Sequence, residues 1–285
     1  MSFTFFTFGG KFLWEDIYNY QGWIIQRNID SLKCRLLDPY NIRRASGSFE
    51  QCKAALLKYI SSYELPRPYK DTILILHGYG RSKSSLKQIT HALKNIKANI
   101  IPLSYASLRR GIVYHANMLS QLIDNLDIKG KLYIINIGTS CLITRKMLTN
   151  TDNYRNYNIA RILDINPLNS GSDLAELIVK NRVLAFLGGP MLKDISTPYA
   201  VKVPRLPNEI EHGIIFSPLT LHSMIKNMLS KFESFPFSTP PSELSYATAD
   251  NIKQIQKSSL FPLKNPEMLK CCKNFIESGT FDDEE

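Results

Sequence analysis

Two short turns in this chain combine glycines with side chains capable of acid–base or nucleophilic chemistry. The turn His77-Gly-Tyr-Gly-Arg81 carries an imidazole, and the turn Gly138-Thr-Ser-Cys-Leu142 carries two hydroxyls and a thiol. Hydroxyls and thiols become nucleophiles when a base takes their proton, and imidazole is the commonest such base. Each turn directly follows an apolar, β-branched run. If the chain does chemistry, we expect it between these two turns.

Alternating strands and helices position both turns. Apolar β-rich runs predict strands at residues 71–76, 98–103 and 131–137. Apolar residues at helical spacing predict helices at 84–97 and 112–126. Strands that alternate with helices are typical of a parallel sheet covered on both faces, where ligands sit beyond the carboxyl ends of the strands. Both turns lie at such ends.

The rest of the chain extends and covers this core. Further strands are predicted at 160–166 and 213–217, and helices at 221–232 and 266–276. Residues 187–209 hold four prolines, which predict an irregular excursion over the sheet. This excursion is either a short lid over a site or simply a long loop.

Three segments are expected along the chain. Residues 1–68 form a lead-in of strands and one helix packed on the core, with that helix predicted at 46–62 behind Ser48 as N-cap. Residues 69–281 form the α/β core. Residues 282–285 are a solvated acidic tail.

The composition favours a globular protein with a basic surface. Of 285 residues, 44% are apolar and 21% are charged, and 35 Lys and Arg against 25 Asp and Glu give a formal charge of +10. A basic surface can attract nucleic acid, anionic lipid or acidic substrates. The cations are dispersed, with no long run and no specific nucleic-acid motif, which favours a solvated surface over a dedicated polyanion site.

The five cysteines, at 34, 52, 141, 271 and 272, lack the paired spacing of a metal site. No metal site is therefore predicted. Cys34 and Cys52 either pair, in an oxidising compartment, or are small buried thiols. The odd total argues against a pure disulfide framework.

No stretch approaches the roughly 20 apolar residues that a transmembrane helix needs. The aromatic start, residues 1–8, lacks the positive region and cleavage site of a signal peptide. A short packed strand is favoured there, with a surface anchor as the alternative, so peripheral membrane contact stays open. The default expectation is a cytoplasmic protein.

The two turns and their surroundings resemble the α/β-hydrolase fold family, and more narrowly its bacterial lipase- or esterase-like serine hydrolases. The resemblance covers about residues 22–281, and includes 34–39, the turn at 169–172 and 265–267 before the last helix. It implies an α/β fold, with a mostly parallel sheet, helices on both faces and a short irregular lid region. It also implies a small acyl, ester or lipid ligand and no cofactor.

The resemblance assigns roles within the turns. Ser140 stands at the nucleophile position, where a histidine would take its proton and an acid would hold that histidine. The oxyanion hole would comprise the N–H of Cys141 and one from Gly78 or Tyr79. His77 belongs to the oxyanion turn and is structural.

Three positions depart from the family pattern. Leu142 replaces the second glycine of the nucleophile motif, which indicates a relaxed turn. Ser259 stands at the position of the triad histidine, and no histidine follows His222. The acid position falls at 238–242, which contains no Asp. His222 is the candidate substitute base and Asp164 the candidate acid, although Asp164 could instead point into the strand layer or pair with a base.

Two hypotheses follow. With histidine and acid lost, the chain is a degenerate hydrolase with weak or no ester hydrolysis and a binding role. The alternative is an active serine ester or acyl hydrolase that uses Ser140 with a non-standard base such as His222. Reaction of Ser140 with a serine-directed probe distinguishes them.

Overall fold

The computed structural model describes residues 13–150, 152–216, 251–255 and 262–282. Within them, a six-stranded sheet forms the centre, with the spatial order β10-β9-β8-β7-β5-β6 and every neighbouring pair parallel. Its strands are β5 (Thr72–Leu76), β6 (Asn99–Pro102), β7 (Leu132–Ile137), β8 (Ile159–Ile165), β9 (Glu211–Phe216) and β10 (Asn251–Gln254).

The strands of this parallel sheet are apolar because helices cover both of its faces. The interior strand β5, Thr-Ile-Leu-Ile-Leu, is buried along its whole length. One apolar core lies between the sheet and the helices that follow β6 and β7, and a second lies on the opposite face against the C-terminal helix. The predicted fold class is confirmed.

Nine α-helices are described. They are α1 (Phe49–Ser62), α2 (Lys87–Ala92), α3 (Ile112–Leu126), α4 (Ser140–Asn150), α5 (Asp173–Lys180), α6 (Arg182–Gly188), α7 (Pro190–Asp194), α8 (Thr197–Ala200) and α9 (Pro266–Ser278). Short 3-10 helices occupy Lys83–Leu86, Asp152–Tyr157 and Pro262–Lys264. The helix predicted at 84–97 is shorter than expected, since its regular part ends at Ala92.

The lead-in folds into an antiparallel sheet of four strands packed on α1. The strands are β1 (Trp14–Tyr20), β2 (Trp23–Asn28), β3 (Cys34–Leu37) and β4 (Arg43–Gly47). Ser48 caps α1 as predicted, in a capping box with Gln51. Cys34 and Cys52 are buried free thiols, as are the other three cysteines, so the alternative of a Cys34–Cys52 disulfide is wrong.

Hydrogen bonds join the antiparallel sheet to the parallel core. The backbone N–H of Asp16 donates to the carbonyl of Ser104 at 2.9 Å, and the N–H of Ser104 donates to the Asp16 carboxylate at 3.0 Å. Asn125 on α3 donates to the Ile17 carbonyl at 2.9 Å. The sheet therefore packs on the core, beside the end of β6. The domain boundary at residue 68 stays a prediction.

The segment predicted as irregular, 187–209, contains two short helices, α7 and α8, and follows directly on a third, α6, whose last residues it overlaps. Each begins at a residue that suits a helix start: Asn181 caps α6, and Pro190 and Pro198 occupy early positions of α7 and α8. The prolines therefore start helices here as well as interrupting them. We call residues 182–206 the cap segment.

Candidate functional site

The strand β7 turns sharply into α4 at residues 138 and 139. Gly138 has a φ of +61°, the left-handed region that favours glycine. A Cβ atom added to Gly138 would meet only the carbonyl oxygen of Asn166, at 4.0 Å. Gly138 is also partly exposed, whereas Thr139 and Ser140 are buried. Gly138 is therefore the residue of this turn that combines a positive φ with partial exposure.

Ser140 begins α4, and its hydroxyl points back into the end of the sheet. Its Oγ atom accepts the N–H of Ile137 at 2.8 Å and lies 3.1 Å from the Ile137 carbonyl and 3.2 Å from the Leu76 carbonyl. The residue has no exposed surface. These bonds tie β5, β7 and the start of α4 together, which is a structural role for the hydroxyl.

The amide predicted for the oxyanion hole has a partner within the protein. The N–H of Tyr79 donates to the Thr139 hydroxyl at 2.8 Å, and the N–H of Gly80 donates to the Ser107 hydroxyl at 3.1 Å. Both hydroxyl-bearing residues are buried. A substrate oxyanion would have to displace Thr139 from Tyr79 before it could accept that N–H.

Two buried histidines flank Tyr105 beneath the first turn. The rings of His77 and Tyr105 stack with centroids 4.1 Å apart, and His115 meets Tyr105 edge-on at 4.9 Å. The Tyr105 hydroxyl donates to the His77 carbonyl. Burial lowers the pKa of both His77 and His115 to about 4. Both imidazoles are therefore neutral at physiological pH.

Asp164 belongs to a chain of buried polar side chains across three strands and one helix. Its carboxylate accepts Asn136 Nδ2 at 2.9 Å and lies 3.0 Å from His212 Nε2. The Thr144 hydroxyl of α4 donates to the side-chain oxygen Oδ1 of Asn136 at 2.7 Å. Asp164 thus pairs with a base within the strand layer, one of the alternatives that the sequence left open. Its role as catalytic acid stays a prediction.

The cap segment contacts the first turn and the residues at the start of α3. The Tyr79 hydroxyl donates to the Gly188 carbonyl at 2.5 Å. A Cβ atom on Gly189 would lie only 1.8 Å from the Leu108 carbonyl oxygen. Asp194 accepts the Ile112 N–H at 2.7 Å and so caps α3. The carboxyl edge of β5 is therefore covered by the turn between α6 and α7.

Gly189→Ala is expected to loosen this cover. The alanine Cβ would collide with the Leu108 backbone, and the φ of +75° at residue 189 is itself unfavourable for alanine. We expect a loss of about 2 kcal/mol in the free energy of unfolding, measured by urea denaturation. Gly80→Ala is the matched control, because that glycine also has a positive φ, +67°, but its nearest neighbour would be 4.0 Å away. Equal losses in both variants would mean that the contact with Leu108 contributes nothing.

Three predicted positions lie outside the described residues: His222, Ser259 and the acid position at 238–242. Their roles stay predictions. Cys141, the other predicted oxyanion residue, is buried in α4, and Gly78 packs against the Ile137 carbonyl, 3.1 Å from where its Cβ would be. Within the described part of the chain, no group of three potential metal ligands comes together.

Sequence reasoning missed Thr139 and Arg145, and it did not connect His212 with Asp164. Thr139 lies inside the motif that drew attention to Ser140, yet only geometry shows that its hydroxyl meets Tyr79. His212 is 48 residues from Asp164 and reaches it across neighbouring strands. Arg145 is buried and donates to the carbonyls of Val203 and Pro204 in the cap segment. In the sequence, a single arginine within a helical pattern does not indicate a contact with the cap segment.

The strand order, the parallel direction of every pair and the sharp turn after β7 define an α/β-hydrolase fold. The mature form of the Bacillus licheniformis lipase BlEst2 is similar, with a TM-score of 0.54 and 15% identity over 76% of this chain and 95% of that one. Its propeptide form gives a TM-score of 0.53 and 14% identity over 70% and 48%. A thermophilic esterase from Thermogutta terrifontis gives 0.50 and 11% over 74% and 90%.

Identities this low establish the fold alone. No family model matches the chain, and no curated protein matches it. Among the helices of the described residues, none has the length and hydropathy needed to cross a bilayer.

Proposed function

We propose that this chain is a degenerate α/β hydrolase that binds a small acyl, ester or lipid ligand at the carboxyl edge of its sheet without hydrolysing it through Ser140. The main support is the turn between β7 and α4. In this fold the nucleophile occupies the sharp, strained position of that turn, with its side chain exposed above the sheet. Here the strained and partly exposed residue is Gly138, which has no side chain to react.

The surroundings of Ser140 support the same proposal. A serine nucleophile needs a base at its hydroxyl and room for a substrate carbonyl. The Ser140 hydroxyl is instead enclosed and bonded to backbone groups of Ile137 and Leu76. In the G-x-S-x-G motif, the sequence match placed Gly138 at the first glycine and Ser140 at the nucleophile. The backbone conformation favours a match shifted by two residues, in which Gly138 stands at the nucleophile position and Ser140 at the second glycine.

The contact between Thr139 and Tyr79 adds an independent argument. Oxyanion stabilisation requires N–H donors aimed at the position where negative charge develops. The Thr139 hydroxyl occupies the Tyr79 donor and would compete with any oxyanion. A neutral ligand pays no such penalty, because it needs only apolar contacts and one or two polar ones. The similar folds of a lipase and an esterase make an acyl chain the ligand class to try first.

A fluorophosphonate probe tests the proposal directly. We expect no labelling of the purified wild-type protein under conditions that fully label an active esterase. Ser140→Ala should leave this unchanged and lower the free energy of unfolding by about 1–2 kcal/mol, because the hydroxyl satisfies buried backbone groups. The neutral ester methyl decanoate should raise the melting temperature of the wild-type protein, which tests the binding role separately.

Cysteine substitution shows which residue faces the site. The five native cysteines are buried, so we expect Gly138→Cys to react with iodoacetamide and Ser140→Cys to stay protected in the folded protein. Fluorophosphonate labelling of the wild type that Ser140→Ala abolishes would contradict the proposal and support the active hydrolase. In that case His222→Ala would test the substitute base.

A further inference from the structure

A surface cleft of about 360 Å³ lies between β4 and α1, on the N-terminal antiparallel sheet. This volume falls at the small end of the range for ligand pockets, about 300–1,000 Å³. The lining combines two cations, two tyrosines and two small residues, with no carboxylate: Arg44, Ala55, Lys58, Tyr59, Ser62 and Tyr63. The cleft belongs to a different sheet from the turns described above.

The aromatic side of the cleft is a set of nearly parallel rings. Trp23 is buried behind the lining residue Tyr59 and stacks on it with centroids 4.7 Å apart and an interplanar angle of 27°. Tyr59 stacks in turn on Tyr63, at 5.7 Å and 17°. Tyr63 ends the set and remains 63% exposed. A planar ring can therefore stack against Tyr63 while Trp23 and Tyr59 hold the tyrosine in place.

The basic side of the cleft consists of one cation that is paired with a carboxylate and one that is not. The guanidinium of Arg44 is held by the buried Asp38, with Nη2 and Oδ2 2.7 Å apart, yet it stays 41% exposed. This pairing orients Arg44 and offsets part of its charge. Lys58 lies one residue before Tyr59 on an exposed part of α1 and makes no ion pair within the described residues. Lys58 therefore supplies the cleft's uncompensated positive charge.

We propose that this cleft binds a nucleotide, with the base stacked on Tyr63 and the phosphate between Lys58 and Arg44. Aromatic side chains stack on any base, and lysine and arginine pair with phosphate oxygens. A lone anion would make no stacking contact with the exposed Tyr63 ring, and a neutral aromatic compound would not pair with the positive charge of Lys58. The source of the nucleotide is either a free mononucleotide or a single-stranded nucleic acid. The inference is independent of the proposed function.

The sequence did not suggest this site. Trp23, Arg44 and Tyr63 are far apart along the chain, and the cations are dispersed between them. They meet because α1 packs across the face of the antiparallel sheet, in a small core that includes Trp23 and Leu56. The interleaving of aromatic and basic residues exists only in the folded protein.

Binding of AMP and of a fluorescent ten-nucleotide oligouridine to the full chain tests the inference, by calorimetry and fluorescence anisotropy in 50 mM salt. We expect Tyr63→Ala to weaken binding of at least one of them about tenfold, as loss of one base stack does. Lys58→Ala should weaken it about fivefold and flatten its salt dependence. Adenosine and inorganic phosphate should each bind more weakly than AMP.

Two exposed residues of the same sheet region provide matched controls. Tyr40→Ala removes a tyrosine that is 84% exposed, and Lys33→Ala removes an exposed lysine, both outside the cleft lining. Neither should change binding. Affinity for the oligonucleotide alone would support the site and identify a single strand as the source. Absence of binding to both probes at 1 mM, or equal losses in the cleft and control variants, would overturn the proposal.

Discussion

Arg145→Ala is expected to lower the free energy of unfolding by about 3–5 kcal/mol, the largest effect of any single substitution considered for this protein. Arg145 is almost wholly buried on α4. Its guanidinium donates to four acceptors outside that helix, one of which is the Asn169 carbonyl, 3.5 Å from Nη1. Nε donates to the Pro204 carbonyl at 2.8 Å, Nη2 donates to the Val203 carbonyl, and Nη1 donates to Asn169 Oδ1 at 3.1 Å. Truncation would leave these buried acceptors without a donor.

Arg145→Ala should loosen the cap segment as well as lower the stability of the whole protein. Val203 and Pro204 lie near the end of the cap segment, so their release should expose residues 197–206 to proteolysis before the core unfolds. Urea denaturation gives the stability, and mass spectrometry of early proteolytic fragments gives the site of cleavage. Arg145→Lys keeps the charge but not the planar fork, and should recover only part of the stability.

The control for Arg145 is an exposed arginine of the cap segment itself. Arg182→Ala removes such a side chain from the start of α6, and should change stability by less than about 0.5 kcal/mol. A similar small change in Arg145→Ala would mean that the cap is held by its apolar contacts alone.

Acidification from pH 6.5 to 4 is expected to remove about 3 kcal/mol of stability through each of His77 and His115. Burial lowers the pKa of each from about 6.5 to about 4 in the folded protein. Between these values the unfolded chain binds protons that the folded chain does not. The stabilisation is therefore complete above pH 6.5 and is lost progressively as the pH falls to 4. Urea denaturation at half-unit pH steps measures the slope.

His115→Met isolates one of the two contributions. By strict geometry the ring nitrogens of His115 make no hydrogen bond within the described residues, although backbone groups of Arg110 and Ala106 partly offset the effect of burial on its pKa. Methionine can fill the space with the loss of these backbone contacts alone. The slope between pH 6 and 5 should fall by about 1.4 kcal/mol per pH unit. Burial also raises the pKa of Asp16, which acts in the opposite direction, so the difference between variant and wild type is the relevant quantity. His91→Gln, an exposed substitution, should leave the slope unchanged.

The sequence predicted the core strands because their apolar runs are long and bounded by turns. β5, β7 and β8 all fall within a residue or two of the predicted bounds. β10 was missed because Asn-Ile-Lys-Gln has neither length nor alternation, and it forms a strand only by pairing with β9. Three strands of the antiparallel sheet were also given no bounds: β3 and β4 have only four and five residues, and polar residues interrupt the longer β1.

The candidate site was less predictable than the fold. A motif match identifies residue types, but it does not report which residue of the turn has a positive φ, and that conformation distinguishes Gly138 from Ser140. The partner of Asp164 was equally hidden, because His212 comes near it only after two strands align. Contacts between distant segments, and not composition, determine both features.

The chain of buried polar groups from Thr144 to His212 bears on how the sheet finds its alignment. Parallel strands that are apolar on both faces could slide past each other by two residues and still bury aliphatic side chains. Asn136 and Asp164 lie opposite each other on β7 and β8, and such a slide would separate them. Both polar side chains would then be buried among isoleucines and leucines without a hydrogen-bond partner. The polar chain thus selects one pairing among several that hydrophobicity alone would accept.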